Sequence, residues 1–477
     1  MIKKTKWMLR ISLLLAFSLF ENCNSHDPHD PELIFVTQVP IDNAVFLKND
    51  WSDKFYNKSR IVSLRTNEAE KSFKVLTSDL HSAALASVSF NSQTIAFMAK
   101  SDESESWQIW TMNFNGKDKK QLTSDSMNCI NPVFLPDGKI AFSRTRPEKE
   151  NFVYHLFTCN AEGLDLQQIS YHPNRDFNIS LLHDGRISFL SNQVDPEKLP
   201  NKWMVIRPDG TKCEEFYKID EPFSIKSKCT ETNEGVLFFV ERSSAKDQLV
   251  QISYSNPGPS RRVMLIEPHG ALHSVAHLDS GNVILSRQLE SNIYGLYQYK
   301  TNDFSQEPIK IYLDSLYHSV DAESSNKNFI PKKLPTSIST KKQSGILFGQ
   351  NAFNQDTSYG ESRSSSFIVV DGLTSSYGEV SVESDGSFLV ELPANQPFKL
   401  SYLNTQKERV GNPSPWIWLR PGERRGCIGC HQKSKLAPEN IAPIAISKEP
   451  QKLLGRNMEG SESIVHWHNK NEGEHDN

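Results

Sequence analysis

Along most of this chain, short runs of apolar residues alternate with polar ones, and a polar turn announces each run. Asn91-Ser92-Gln93 precedes Thr94-Ile95-Ala96-Phe97, and Pro136-Asp137-Gly138 precedes Lys139-Ile140-Ala141-Phe142-Ser143. The same phrase returns at His183-Asp184-Gly185, Asn233-Glu234-Gly235 and Asp279-Ser280-Gly281, each ahead of a β-rich run. The interval is about 45–50 residues, the length of a four-stranded propeller blade. Between these turns lie second strands such as Gln108-Ile109-Trp110-Thr111-Met112-Asn113 and Trp203-Met204-Val205-Ile206, then last strands opening at Gln121-Leu122-Thr123 and Gln168-Ile169-Ser170. Five regular units and an irregular first one, from Ile34-Phe35-Val36 to Lys74-Val75-Leu76-Thr77, predict a mainly β fold with a propeller of about six blades over residues 34–318.

Residues 319–344 are polar, with Pro331, Pro335 and several lysines and serines, and read as a linker. Alternation resumes at Gly345-Ile346-Leu347-Phe348. The turn Glu383-Ser384-Asp385-Gly386 joins two later strands as a hairpin, which predicts a small β-sandwich over 345–425. A terminal segment, 426–477, follows.

That segment carries the chemistry. In Cys427-Ile428-Gly429-Cys430-His431, two thiols three positions apart are followed at once by an imidazole, the attachment pattern of a c-type haem. Each thiol adds to one porphyrin vinyl group, and the following histidine then lies on one face of the iron. The competing reading is a redox or zinc pair, but no second Cys-x-x-Cys or Cys-x-x-His is present to close a zinc site. One covalent haem c is expected on Cys427 and Cys430, with His431 on the metal. The tail offers Met458, His466, His468 and His475 as sixth ligand, His466 or His468 ahead of Met458. Arg420, Arg424 and Arg425 read either as partners of the haem propionates or as solvated charge, and Trp416 and Trp418 either as neighbours of the ring or as core.

The N-terminus points to export. Lys3, Lys4, Lys6 and Arg10 precede an apolar run, residues 11–20, too short to span a bilayer as a helix, so residues 1–23 read as a signal peptide. Cys23 stands where a bacterial lipoprotein carries its lipid, with cleavage after Ser18 as the competing reading. The expected location is the periplasm or a lipid anchorage on the cell envelope. A net charge of -4 gives no electrostatic case for nucleic acid. Cys129, Cys159, Cys213 and Cys229 are an even set that reads equally as two disulfides or as buried thiols. His269, His273 and His277 recur every four residues, but Pro268 and Gly270 break a helix there. On a strand His273 and His277 stand about 13 Å apart, too far to share one ion.

Two resemblances add to this reading. The phrase running from Ile109 through Trp110, Met112, Asn113 and Gly116 to Gln121-Leu122-Thr123 resembles the repeat of TolB-type propellers. Asp385-Gly386-Ser387-Phe388, Leu392-Pro393-Ala394-Asn395-Gln396-Pro397-Phe398, the run from Arg420-Pro421-Gly422-Glu423 to His431, and Ala437-Pro438-Glu439-Asn440 resemble the hydrazine-synthase alpha-subunit-like family. That resemblance implies a propeller joined to a haem-binding region, with haem on Cys427 and Cys430 and His431 as proximal ligand. The reaction does not carry over, because the family's namesake has more than one haem and works in a multi-subunit complex, whereas this chain has a single Cys-x-x-Cys-His. The expected function is one-electron transfer to a redox partner protein docked on the propeller, with no catalytic residue assigned. Its rivals are an open-site haem enzyme or sensor subunit, or a binding module with structural haem.

Overall fold

The computed structural model describes residues 33–43, 56–148, 151–193, 201–219, 222–325, 329–353, 366–410, 413–427 and 442–454. Strands dominate them. The helices among the described residues are a single turn, Ala69–Ser72, and a 3-10 turn, Ile444–Ser447, so no described helix could cross a membrane.

Six antiparallel sheets lie between residues 33 and 324 among the described residues. Sheets II, III and IV are built from consecutive strands that begin at Ser82–Val88, Cys129–Phe134 and Asn174–Leu181. Sheet VI begins at Leu272–Asp279, and sheet V has a split first edge, Ser224–Ile225 and Thr230–Glu231. Sheet I is composite. Its first edge is Tyr317–Ser324, which pairs with Leu33–Pro40, so the end of the array closes onto its beginning. This is the closed ring of a β-propeller. It also corrects the linker expected from residue 319, whose first residues are a strand. The strand carries polar residues yet is buried in the ring, with Val320 fully covered.

The expected turns form as their residues demand. Gly138, Gly185 and Gly235 take φ of 86°, 88° and 74°, where a side chain costs energy. The first strands share a less obvious device. Leu85, Asn131, Asn178 and Asp321 all have φ near 50° and sit at bulges that break the ladder to the next strand or to its neighbour. Successive sheets are stitched at these bulges. Asn178 N donates to Asn131 Oδ1 (3.3 Å), Asn178 Nδ2 to Lys226 O (3.2 Å) and Asp321 N to Ser274 Oγ (3.0 Å). Apolar clusters fill the space between neighbouring sheets, for example Leu135, Ile187 and Phe189 between III and IV.

Two further sheets form a sandwich. One orders Arg424–Cys427, Ser344–Gly349, Phe388–Pro393 and Gln451–Lys452; the other orders Ser376–Ser381, Phe367–Gly372, Phe398–Leu403 and Arg409–Val410. Leu347, Val390 and Leu392 of the first sheet meet Ile368, Val370 and Leu400 of the second in a buried core.

Candidate functional site

The last strand before the cysteine motif is short and firmly placed. Arg424–Cys427 runs parallel to Ser344–Gly349, with Gly349 opposite Cys427, and Cys427 O accepts from Gln350 N at 2.8 Å. Alternation along the strand puts Arg425 and Cys427 on one face and Arg424 on the other. The Cys427 thiol is half-buried, forms no disulfide, and is pushed up in pKa by burial against a smaller opposing effect of Arg425. Cys430 and His431 lie outside the described residues, as do Cys23, Met458, His466, His468 and His475.

The segment leading into this strand is locked onto the propeller. Trp418 is 2% exposed, sits among Ile169, Ile206 and Cys213, and donates Nε1 to Gly210 O at 3.1 Å. Its ring stacks on His172 at 5.0 Å. Arg420 donates to Asp209 O (3.0 Å), to Asn395 Oδ1 (2.6 Å) and to the Tyr171 hydroxyl. Glu423 receives the backbone N–H groups of Arg420 (2.8 Å) and Lys212 (3.0 Å), and Arg425 donates to Cys213 O. Arg420 and Arg425 are therefore engaged in joining the sandwich to sheet IV, and Trp418 is a core residue of that joint. Arg424 is the exposed member of the trio, and Trp416 lies under the Lys399 ammonium at 4.3 Å.

Residues 329–343 run along the same part of the propeller. Phe329 packs on the His183 ring at 4.0 Å, Lys332 N donates to His183 O (3.2 Å), Ser337 N to Asp209 Oδ2 (2.7 Å) and Ser339 N to Pro421 O (2.8 Å). The turns at 183–185 and 207–211 link strands one to two and three to four of sheet IV, so they lie at the same end of the antiparallel sheet. The strap and the sandwich both rest there.

The ring encloses an axial cavity of about 170 Å3 that takes wall residues from the first strand or strand end of every sheet and from the strap, at Phe329 and Pro331. On its wall, Glu231 accepts His183 N at 2.8 Å, and its other oxygen lies 3.5 Å from His183 Nδ1. Burial pushes Glu231 up to about 7 and His183 down to about 4, so the pair is not a full ion pair at neutral pH. Also on the wall, the Asp321 carboxylate accepts the Tyr56 hydroxyl at 2.6 Å and lies 3.8 Å from His273 Nδ1. His277 lines the cavity and His273 packs edge-on to Tyr294, while His269 falls in the turn before their strand. No group of metal-ligand spacing occurs among the described residues. Cys129, Cys159, Cys213 and Cys229 are free thiols, and burial raises each, Cys129 and Cys159 to about 12. Of the two cysteine readings, the structure has the thiols. Sequence reasoning missed the cavity, whose polar residues come from turns and strands far apart in the chain.

A closed ring of sheets, an axial cavity and a docked sandwich ending in a cysteine-bearing strand define an all-β propeller–sandwich protein. Residues 337–432 match the hydrazine synthase alpha subunit middle domain, so the family resemblance read from the sequence holds. The fold is similar to that of Kuenenia stuttgartiensis hydrazine synthase, with a TM-score of 0.77 and 18% identity over 87% of this chain and 71% of that one. TolB from Acinetobacter baumannii matches at a TM-score of 0.46 and 12% identity, over 63% of this chain and 67% of that one. No curated protein sequence matches the chain.

Proposed function

We propose that this chain is an exported c-type haem protein that passes single electrons to a partner docked on its propeller, anchored to the cell envelope by a lipid on Cys23. The haem is held by Cys427 and Cys430, with His431 on the iron. The observation that carries the reading is the placement of Cys427. It ends a strand pinned by backbone bonds to the sandwich, inside the segment that matches the family model. The residues there suit a covalently held group. A half-buried free thiol ends a strand at the edge of the sandwich sheet. Exposed Arg424 is the arginine left to pair with an acidic edge of the ring. When bound, the group supplies a reversible one-electron couple. The protein fixes its orientation through the Trp418 and Arg420 joint.

The protein made with a c-type maturation system should keep haem stain after denaturing electrophoresis, and Cys427→Ser with Cys430→Ser should abolish it. A stain that survives the double change sinks the assignment. Palmitate labelling of wild type that vanishes in Cys23→Ala supports the anchor, and unlabelled wild type refutes it.

A second reading has the family match in its favour: an open-iron subunit, as an enzyme or sensor related to hydrazine synthase. The spin state separates the two. Electron transfer requires a low-spin, six-coordinate iron that turns high-spin when residues 455–477 are removed, because His466, His468 or Met458 then no longer ligates it. A full-length protein that is already high-spin and binds carbon monoxide decides for the open site.

A further inference from the structure

The strap carries a charge that neither the haem reading nor the joint uses. Residues 329–343 contain Lys332, Lys333, Lys341 and Lys342 and no carboxylate, in a chain whose net charge is -4. All four lysines are exposed, and none of them forms an ion pair among the described residues. Lys212, exposed as well, stands at the same joint, where its backbone N–H goes to Glu423.

The lysines are held in place. Besides the bonds to His183, Asp209 and Pro421, the strap receives the Arg207 guanidinium at Pro335 O and the Ala394 N–H at Gln343 O (2.9 Å). Lys342 N closes a turn onto Ser339 O at 3.0 Å, and Leu334 packs at the Gly185 turn. A segment pinned in this way loses little freedom when something docks on it. The ten residues from Lys332 to Lys342 reach no more than about 35 Å, comparable with the width of an interface that buries about 800 Å2 a side. At one end Phe329 and Ile330, 39% and 63% exposed, add apolar surface. At the other, Lys342 Cδ lies beside Gly422, two residues before the cysteine-bearing strand.

We propose that the strap is the docking site for a partner protein with an acidic surface, its carboxylates on the lysine line and an apolar residue on Phe329 and Ile330. The proposal rests on the reading of this chain as one that docks a partner, and it says where and by what charge. An anionic bilayer fits the same lysines less well. It presents one uniform negative plane, which the exposed Glu214 and Glu215, next to Lys212, would repel, whereas a protein surface can pattern its charge.

The test is fluorescence anisotropy of labelled poly-L-glutamate titrated with the full-length protein at about 10 mM salt, where screening sets in only beyond about 30 Å. Saturable binding is expected, weakened about tenfold or more at about 0.15 M salt. Lys332→Glu with Lys333→Glu should weaken it by about tenfold, and so should Lys341→Glu with Lys342→Glu. Lys58→Glu with Lys218→Glu is the control, with the same change in net charge. Lys58 precedes the third strand of sheet I and Lys218 follows the fourth strand of sheet IV, so both lie at the far end from the turns that carry the strap. The control should stay within about twofold of wild type. Absence of saturable binding by wild type overturns the proposal, and so does an equal loss in the control and strap variants. Vesicles of phosphatidylglycerol should bind wild type and strap variants alike, because a lipid on Cys23 contributes equally to both. Weaker vesicle binding by the strap variants assigns the lysines to a membrane and overturns the protein partner. None of these measurements reads haem, so the stain tests the electron-transfer reading and the titration tests the docking site, each by itself.

Discussion

Trp418→Ala tests whether the sandwich and the propeller are one mechanical unit. The indole is 2% exposed and fills the apolar space around Ile169, Ile206 and Cys213, so truncation removes a large buried side chain and leaves a cavity in the joint. Such changes cost about 3–5 kcal/mol. The lost Nε1 bond leaves Gly210 O without its donor, at about 1 kcal/mol more unless water reaches it. His172, stacked on the ring at 5.0 Å, loses its cover as well. The joint should therefore weaken by about 4–6 kcal/mol, at least about a thousandfold in the docking equilibrium. The Arg420 guanidinium alone should not hold it, because its bonds reach a peptide carbonyl, a neutral amide and a phenol, with no carboxylate among them. Urea unfolding followed by scanning calorimetry should show wild type melting with the two parts coupled. In the variant the sandwich should melt earlier and separately, with new proteolytic cuts between residues 413 and 423. Trp418→Phe, which keeps most of the area and loses the donor, should fall in between. A variant within about 1 kcal/mol of wild type, melting as one unit, would refute the argument that this side chain carries the docking.

Gly185→Ala should disturb the strap, because its Cβ would stand 2.0 Å from Lys332 O at a φ of 88°. Hydrogen exchange at Lys332 N, bonded to His183 O, should then speed up, whereas Gly138→Ala, with nothing within 4 Å, should show only the backbone cost of about 1–2 kcal/mol. Acid should weaken the ring through His318, which is 1% exposed and pushed down to about 4 by burial first and by His273 second. Its folded pKa lies below the unfolded value of about 6.5, so the unfolded chain takes up the proton first. The contribution is complete above about pH 6.5 and falls by up to about 1.4 kcal/mol per pH unit down to about pH 4. Urea midpoints measured across that window should flatten in His318→Gln, and an unchanged slope would count against the assignment.

The sequence made local features legible and long-range ones opaque. Turns such as Asp137-Gly138 announce themselves, because only glycine takes that φ cheaply, and two-residue alternation marks which strands have an inner face. Tyr317–Ser324 was hidden, since its polar residues satisfy partners on sheets far away in the chain, as Asp321 does with Tyr56. The bulge at Leu85 has no sequence signal, because a leucine with φ 56° is held there by its neighbours and not by its own preference. Asn131 and Asn178 did carry a hint, being a residue type that tolerates this conformation and lying one repeat apart. The cysteine motif stood out in the sequence, but the joint that holds the strand leading into it did not. Trp418 and Arg420 find their partners about two hundred residues upstream in sheet IV, a distance no local pattern encodes.

The composite sheet I, in which Ile34 pairs with Ser324, ties the beginning of the array to its end. No blade sequence made earlier can supply that edge, so the ring stays an open arc while the ribosome works through the intervening strands. Closing a loop of this length is a slow, entropically opposed event compared with forming any single hairpin. Under the proposed export as an unfolded thread, such lateness would be useful: the topology would keep the polypeptide from locking into its final shape before the closing strand had crossed. The strap and the sandwich follow the closing strand along the chain, so the cysteine-bearing strand is made only after every edge of the ring is available.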